Sequence, residues 1–430
     1  MTDRKGLTRR DLFRASAGLV GASLASTVAE GPRSALAAAP EAGALLPNLP
    51  RRFSTEERNL RWRRVREMMR RAGFDCLLTP ASSGEGGADT RYLTQRGGWV
   101  VFPLEGRVLS IEDGGDAGRS NEGRWADETR GADDGAWSPV VIEALRDLKM
   151  ERARIGVGRL SGVLRNLEGD VSHTTFERVR QAFPNARFES AADPLMRVKL
   201  LRSAEEIAVL EQATAGSERG FEALVRGARP GRPHKDVWIE VFTALTMATG
   251  EAPSRLALRA GDEANTSGGR PLLETLQAGQ IMNQEISSRL LGFGAQVNHS
   301  ICIGSPAPAD WASAAKYCID VFHELLEWIR PGKTVMDLCR LYADRAKARS
   351  PELEPRWVLF HTSGLGDSPR MGLMRSETPD LVIEPTMVFT LKPRILVKGA
   401  QPTAQFGDPV LVTESGARRL GKRKLEVLTL

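Results

Sequence analysis

From about residue 51 onward, apolar positions fall into short runs and helical periods that alternate along the chain. Ser54 to Glu57 has the form of a capping box ahead of a basic helix running to about Arg71. Phe74 to Leu78 is a short buried-strand pattern, and Trp99 to Ile111 predicts a hairpin turning at Glu105-Gly106. A helix near Val140–Leu148, a strand at Ala153–Val157 and a helix near Thr175–Ala182 follow. This alternation predicts a small α/β domain over residues 51–193, with helices packed on a sheet. Ser82 to Gly87 and Asp113 to Asp134 are rich in Gly, Asp and Ser and read as surface loops.

Leu195 to Ser203 marks a joint, and residues 194–430 form the second predicted domain. A second capping box, Ser203 to Glu206, starts a long helix carrying Ile207, Leu210, Ala213, Phe221 and Leu224 on a partly periodic face. An internal repeat then emerges. Arg229-Pro230-Gly231 precedes a helix over Val237–Ala248, and Arg330-Pro331-Gly332, 101 residues later, precedes one over Val335–Ala346. With the strand-rich blocks 254–304 and 356–413, this predicts two αα-plus-sheet halves related by a pseudo-two-fold axis. A pocket where two such halves meet is a natural place for chemistry.

Composition adds little beyond the N-terminus. The chain has 430 residues, 41% hydrophobic and 27% charged, as in an ordinary globular protein. Thr8-Arg9-Arg10-Asp11-Leu12-Phe13-Arg14 reads as a twin-arginine export signal, followed by a mild apolar run to Ala29 and a cleavage site after Ala37. Residues 1–37 are thus expected to be a signal peptide and 38–50 an Ala/Pro-rich linker, with the mature protein periplasmic or secreted. Removing six basic and three acidic residues would leave 54 Lys+Arg against 51 Asp+Glu. That balance argues against nucleic acid or a membrane surface as partner. Cys76, Cys302, Cys318 and Cys339 have no metal-ligand or redox spacing and read as small buried residues.

The stretch Gln280 to Gly304 carries the candidate chemistry: an apolar strand with Glu285, a turn at Gly292-Phe293, and a second strand with Gln296 and His299. This layout resembles the metal hairpin of the pita-bread family, which includes creatinase, aminopeptidase P and prolidase. The likeness extends over nearly all of the second half. Met196 to Ile207 looks like the start of the family's catalytic domain, and His361 to Pro369 is similar to its histidine segment. Pro385 to Pro393 and Asp408 to Gly416 resemble its two closing strands. The first half resembles the creatinase-type N-terminal domain. The resemblance therefore implies an α/β N-terminal domain followed by an α+β pita-bread domain, in a homodimer.

Matched residue by residue, most of the family's metal ligands are replaced. Glu285 and Gln296 stand at the two aspartate positions, His361 keeps the histidine, and Lys392 and Gly407 stand where two glutamates are expected. A two-metal hydrolase needs several anionic oxygens around its ions, and Lys392 would bring an ammonium there instead. The sequence thus points to no metal and no other cofactor. It suggests a catalytic cluster of Glu285, His361 and Lys392, with His361 as acid or base. Gln296, His299, Asp367 and Arg394 are the candidate contacts to a small polar substrate. The expected activity is metal-independent hydrolysis or elimination at a C–N bond. The alternatives are a divergent Xaa-Pro-type metallopeptidase and an inactive binding or scaffold protein.

Overall fold

A computed structural model describes residues 45–81, 88–114, 125–163, 167–265, 268–362, 364, 370–371, 380–398 and 402–430. Helix α1 (Thr55–Ala72) begins at Ser54, whose side chain accepts from the Glu57 amide, and stops at Gly73 with φ 73°. Only half of the expected capping box forms, because Glu57 turns inward to Arg61 and the Ser54 amide donates to Glu205. A six-stranded sheet follows, in the order β4-β3-β2-β1-β5-β6. Its strands are β1 (Cys76–Thr79), β2 (Trp99–Pro103), β3 (Leu109–Asp113), β4 (Glu128–Ala132), β5 (Arg154–Val157) and β6 (Arg187–Ser190). Helices α2 (Ala88–Thr94), α3 (Trp137–Asp147), α4 (His173–Ala182) and α5 (Ala192–Leu200) accompany it. The predicted hairpin is present, with Trp99 opposite Ile111.

One expectation is corrected here. The segment Asp113–Asp134, read as a loop, contains β4, an edge strand paired in parallel with β3. Its residues Glu-Thr-Arg-Gly-Ala are half-exposed and carry no apolar alternation, so pairing rather than burial creates the strand. The other segment read as a loop, Ser82–Gly87, lies outside the described residues.

The second half begins with α6 (Ala204–Gly227), where the reciprocal Ser203–Glu206 capping box is complete, and α7 (His234–Thr249). Strands β7 (Arg255–Ala260), β8 (Ile281–Leu290), β9 (Phe293–His299) and β10 (Ile301–Cys302) follow. Next come α8 (Ala309–Trp328), α9 (Val335–Arg349), β11 (Leu353–Thr362), β12 (Arg370–Met371), β13 (Val388–Val397), β14 (Ala404–Val412), β15 (Ala417–Arg419) and β16 (Leu428–Thr429). The β8–β9 turn falls at Leu291-Gly292, both with positive φ as a two-residue hairpin requires. The sheet runs β12-β11-β13-β14-β9-β8-β10-β16, with β7 also on β8. Each half is therefore a helix pair followed by three antiparallel strands, β7-β8-β9 and β11-β13-β14, and the halves join where β9 meets β14.

Strand alternation gives this sheet two faces. On one, Met282, Ile286 and Val297 pack with Phe221, Val241 and Leu245 of α6 and α7. On the same face Leu391, Ile395 and Phe406 pack with Cys318, Phe322 and Leu338 of α8 and α9. The opposite face is left for polar side chains. All four cysteines are buried and free. Among the described residues no helix is long and apolar enough to cross a membrane.

Arg61 ties α1 to this second half. Its guanidinium is 1% exposed and lies 4.3 Å from the centre of the Phe53 ring, 4.8 Å from Tyr92, 5.1 Å from Trp125 and 5.6 Å from Phe293. It pairs with Glu57 at 2.6 Å and with Glu206 at 3.1 Å. Flat aromatic faces suit a weakly hydrated planar cation, and the two carboxylates satisfy its charge. Arg61→Met is expected to lower the unfolding free energy by about 3–5 kcal/mol, because two buried carboxylates lose their shared partner. A urea midpoint equal to the parent's would show that the cage contributes nothing to stability.

Candidate active site

The site is a row of residues that crosses the junction between the two halves. The β8–β9 register places Ile286 opposite Val297 and Ser287 opposite Gln296, so Glu285 and Asn298 adjoin. Asn298 is opposite Gly407, and the β13–β14 pairs Leu391–Asp408 and Arg394–Gln405 bracket Lys392 and Gly407. Glu285, Asn298, Gly407 and Lys392 thus line up across β8, β9, β14 and β13, on the face away from the helices.

Lys392 reaches along this row. Its Nζ donates to Glu285 Oε1 at 2.7 Å, although two strands separate their own. The lysine is 2% exposed. Arg255, on β7, donates from Nε to the other carboxylate oxygen, Oε2, at 3.0 Å. Burial alone would raise the Glu285 carboxyl, but the Lys392 ammonium and then the Arg255 guanidinium outweigh it and hold it well below the usual carboxylate range. Glu285 is therefore a fixed anion that anchors a cation, and it is too weakly basic to serve as the proton-transfer group.

Gly407 makes this arrangement possible. A Cβ at that position would lie 2.9 Å from Lys392 Cβ, 3.0 Å from its Cγ and 2.9 Å from the Leu391 carbonyl oxygen. The lysine stem lies in the space a side chain would fill, so a glutamate at 407 is incompatible with Lys392 in this pose. Asn298, also in the row, is fully buried; its Nδ2 donates to the Gln284 carbonyl at 2.7 Å. Its Oδ1 is buried and has no hydrogen-bond partner among the described residues.

The remaining candidates are placed as follows. Gln296 is buried on the same face as Glu285, opposite Ser287. Arg394 is on the Lys392 face of β13, where its Nε donates to Thr403 Oγ1 at 2.8 Å. His361 lies in β11 opposite Thr390, and Leu359 is opposite Lys392. The His361 side chain, and Asp367 altogether, lie outside the described residues. Among the described residues no three His, Cys, Asp or Glu side chains converge as metal ligands.

His299 departs from its expected role as a ligand contact. Three positions beyond Gln296 on a strand, it falls on the opposite, helix-side face. There its ring sits 4.8 Å from Phe221 and 4.9 Å from Phe406, and its Nε2 is 2.7 Å from the Glu426 carbonyl oxygen. Burial, and then the nearby Arg423 guanidinium, push it down to about 3, so it is a neutral packing residue. Arg255 is the residue that sequence reasoning missed. The signal was Arg255 and Arg259, four residues apart and so on one face of a strand preceding the hairpin.

Two similar halves, each a helix pair backed onto three strands, with polar residues gathered where they meet, define the pita-bread class. A solved structure of Xaa-Pro dipeptidase from Bacillus anthracis shares this fold, with a TM-score of 0.73 and 18% identity over 87% of this chain and 100% of that one. Residues 208–414 match metallopeptidase family M24. Creatinase from Bacillus sp. is 23% identical over 398 residues, covering 86% of this chain and 92% of its own. Xaa-Pro dipeptidase from Pyrococcus furiosus is 21% identical over 269 residues, 61% of this chain and 74% of its own.

Two outcomes test this geometry. Lys392→Met leaves Glu285 buried with Arg255 alone and is expected to destabilise by about 1–3 kcal/mol. Adding Glu285→Gln should recover most of that loss; strictly additive effects in the double mutant would mean that the pair is not coupled. The second outcome concerns pH. His299 is held below its unfolded value of 6.5, so its contribution is complete above that pH and is lost as pH falls toward 3. The slope within that window is about 1.4 kcal/mol per pH unit. His234, buried with Nε2 at the Leu258 carbonyl and also shifted down by burial, acts in the same direction. Urea midpoints between pH 7 and 4 should fall less steeply for His299→Gln than for the parent; parallel curves would refute the assignment.

Proposed function

We propose that this protein is a metal-independent hydrolase or lyase that cleaves a C–N bond in a small polar molecule. The observation that carries the reading is the engagement of Glu285. Both of its carboxylate oxygens already accept from cations, Lys392 and Arg255, so the surviving acid of the hairpin is not free to ligate a metal. With Gln296, Lys392 and Gly407 at three other ligand positions, the donor set does not fit a dinuclear centre.

In this reading Lys392 is the electrophile. Fixed by Glu285, its ammonium donates a hydrogen bond to a substrate carbonyl and stabilises the oxyanion that forms there. His361 takes a proton from water as the water oxygen bonds to the carbonyl carbon, then delivers it to the nitrogen as the C–N bond breaks. Gln296 orients the substrate, and the helix-side His299 does not touch it. The protein acts as a homodimer after twin-arginine export and removal of residues 1–37, with residues 51–193 as the N-terminal domain and 194–430 as the catalytic one. The M24 match and the dipeptidase similarity favour a divergent metallopeptidase as the second reading.

The full chain, purified without chelator, should contain well under one equivalent of Mn, Zn, Co and Fe by mass spectrometry. Its turnover of small amides, ureas and guanidino compounds should survive EDTA. Lys392→Met and His361→Ala are each expected to lower kcat by about 10²-fold or more. Near two equivalents of metal with EDTA-sensitive cleavage of Xaa-Pro dipeptides would establish the second reading instead.

A further inference from the structure

We propose that Arg423 is a positioning residue for the candidate site: from the helix side of the sheet it locks the seam between the two halves, and so holds Lys392 within reach of Glu285. Only the geometry of that pair is needed for this role, not the reaction assigned to it. The seam is the thinnest line of the second sheet. Strands β8 and β9 pair through five opposed residues and β13 and β14 through six, whereas β9 and β14 pair only at His299–Phe406 and Asn298–Gly407. At one end the Ser300 amide and hydroxyl add bonds to Gln405. Yet the Glu285–Lys392 contact must cross this seam, because β8 belongs to one half and β13 to the other. A slip of one residue between β9 and β14 would move Lys392 by about 3.3 Å relative to Glu285, more than a hydrogen bond tolerates.

Arg423 lies between β15 and β16, in a segment that bonds to both halves. Its Nη2 donates to the Asn298 carbonyl of β9 at 2.8 Å and to the Gly407 carbonyl of β14 at 2.7 Å, so one nitrogen bridges the two strands. These are two residues of the central row, gripped from behind the face on which Lys392 passes. Arg423 Nη1 donates to Asp408, whose fully buried carboxylate also accepts from Arg419 Nε at 2.7 Å. The Arg423 guanidinium stands 5.6 Å from the Phe221 ring of α6, and that of Arg419 stands 5.7 Å from Phe322 of α8. The backbone of the segment is tied down in the same divided way. On the first half, Glu218 of α6 accepts from the Lys422 and Arg423 amides at 2.6 and 2.7 Å, and His299 Nε2 is 2.7 Å from the Glu426 carbonyl oxygen. On the second, the Pro409 carbonyl accepts from the Leu420 amide at 2.9 Å. Gly421 permits this close approach: a Cβ there would lie 2.8 Å from Asp408 Oδ1 and 3.0 Å from Glu218 Oε1. A planar fork can serve a carboxylate and two carbonyls at once, whereas an ammonium is a single compact charge. The buried Asp408 carboxylate holds the fork in place.

The test is acetylation of the full chain under native conditions, followed lysine by lysine by mass spectrometry. Lys392, 2% exposed, reports on the seam; Lys199, 3% exposed in α5, reports on global opening; the exposed Lys316 sets the reagent scale. Arg423→Met should speed acetylation of Lys392 about tenfold or more relative to Lys316, while Lys199 changes far less. Arg423→Lys keeps a cation beside Asp408 without the fork and should give a smaller rise in the same direction. Arg419→Gln takes the other guanidinium from Asp408 but leaves the bridge, so it should lower the melting temperature without exposing Lys392. Equal acceleration of Lys392 and Lys199 in Arg423→Met would make Arg423 a general stabilising residue and overturn the proposal. So would unchanged protection of Lys392 in Arg423→Met, or in Arg423→Lys should the methionine variant not fold. A rise at Lys392 in Arg419→Gln as large as in the Arg423 variants would overturn it as well. None of these readouts depends on turnover or metal content, so a failure here leaves the proposed function standing.

Discussion

The polar face of the second sheet is organised by one long-range contact, the pairing of Lys392 with Glu285 across the junction of the two halves. Three strand spacings, each about 4.8 Å, separate the two backbones. Two long side chains can bridge that span only if the β14 position beside Lys392 leaves room for the lysine stem and Asn298 on β9, turned to the Gln284 carbonyl, leaves its end clear. Gly407 provides the opening, because a Cβ there would meet the lysine stem. Lys392 and Gly407 are therefore coupled: the lysine on β13, in this pose, requires a position without a side chain on β14. Arg255 then completes the carboxylate from the far side.

This contact sets the electrostatics of the polar face. Among the described residues, this face holds Lys392 and Arg255 around the Glu285 carboxylate. An ammonium and a guanidinium keep Glu285 ionised despite burial, so the charge pattern is a permanent feature of the folded state across the neutral range. The helix-side face is treated in the opposite way. There His299 is packed between two phenylalanines and kept neutral, so the same strand carries a polar site on one side and a pH-sensitive core contact on the other.

The N-terminal half is fastened to this arrangement at the base of the hairpin. Phe293, the first residue of β9, is one wall of the aromatic cage around Arg61, and Glu206, in the first turn of α6, is one of its ion partners. The Ser54 amide reaches Glu205 beside it. The same first turn of α6 thus caps its own helix and anchors α1. The buried cation between aromatic rings thus links α1 to the first residue of β9 and to the first turn of α6.

Much of this architecture was legible in the chain because it is written in local chemistry. The Ser203–Glu206 capping box, the Pro-Gly turns before α7 and α9, the β2–β3 hairpin and the repeat of helix pair and strands depend on neighbours within a few residues. The edge strand β4 was not legible, since its polar residues are ordered only by pairing with β3. The sequence set Glu285, Gln296, His361, Lys392 and Gly407 at the positions that the family resemblance assigns to metal ligands. Only the tertiary structure decided that Lys392 turns inward to Glu285, that Gly407 leaves room for its stem, and that Arg255 pairs with the same carboxylate. It also decided that His299 faces the helices. These facts depend on which strands lie side by side and which way each pleat points, and strands more than a hundred residues apart in the chain carry no local mark of that pairing.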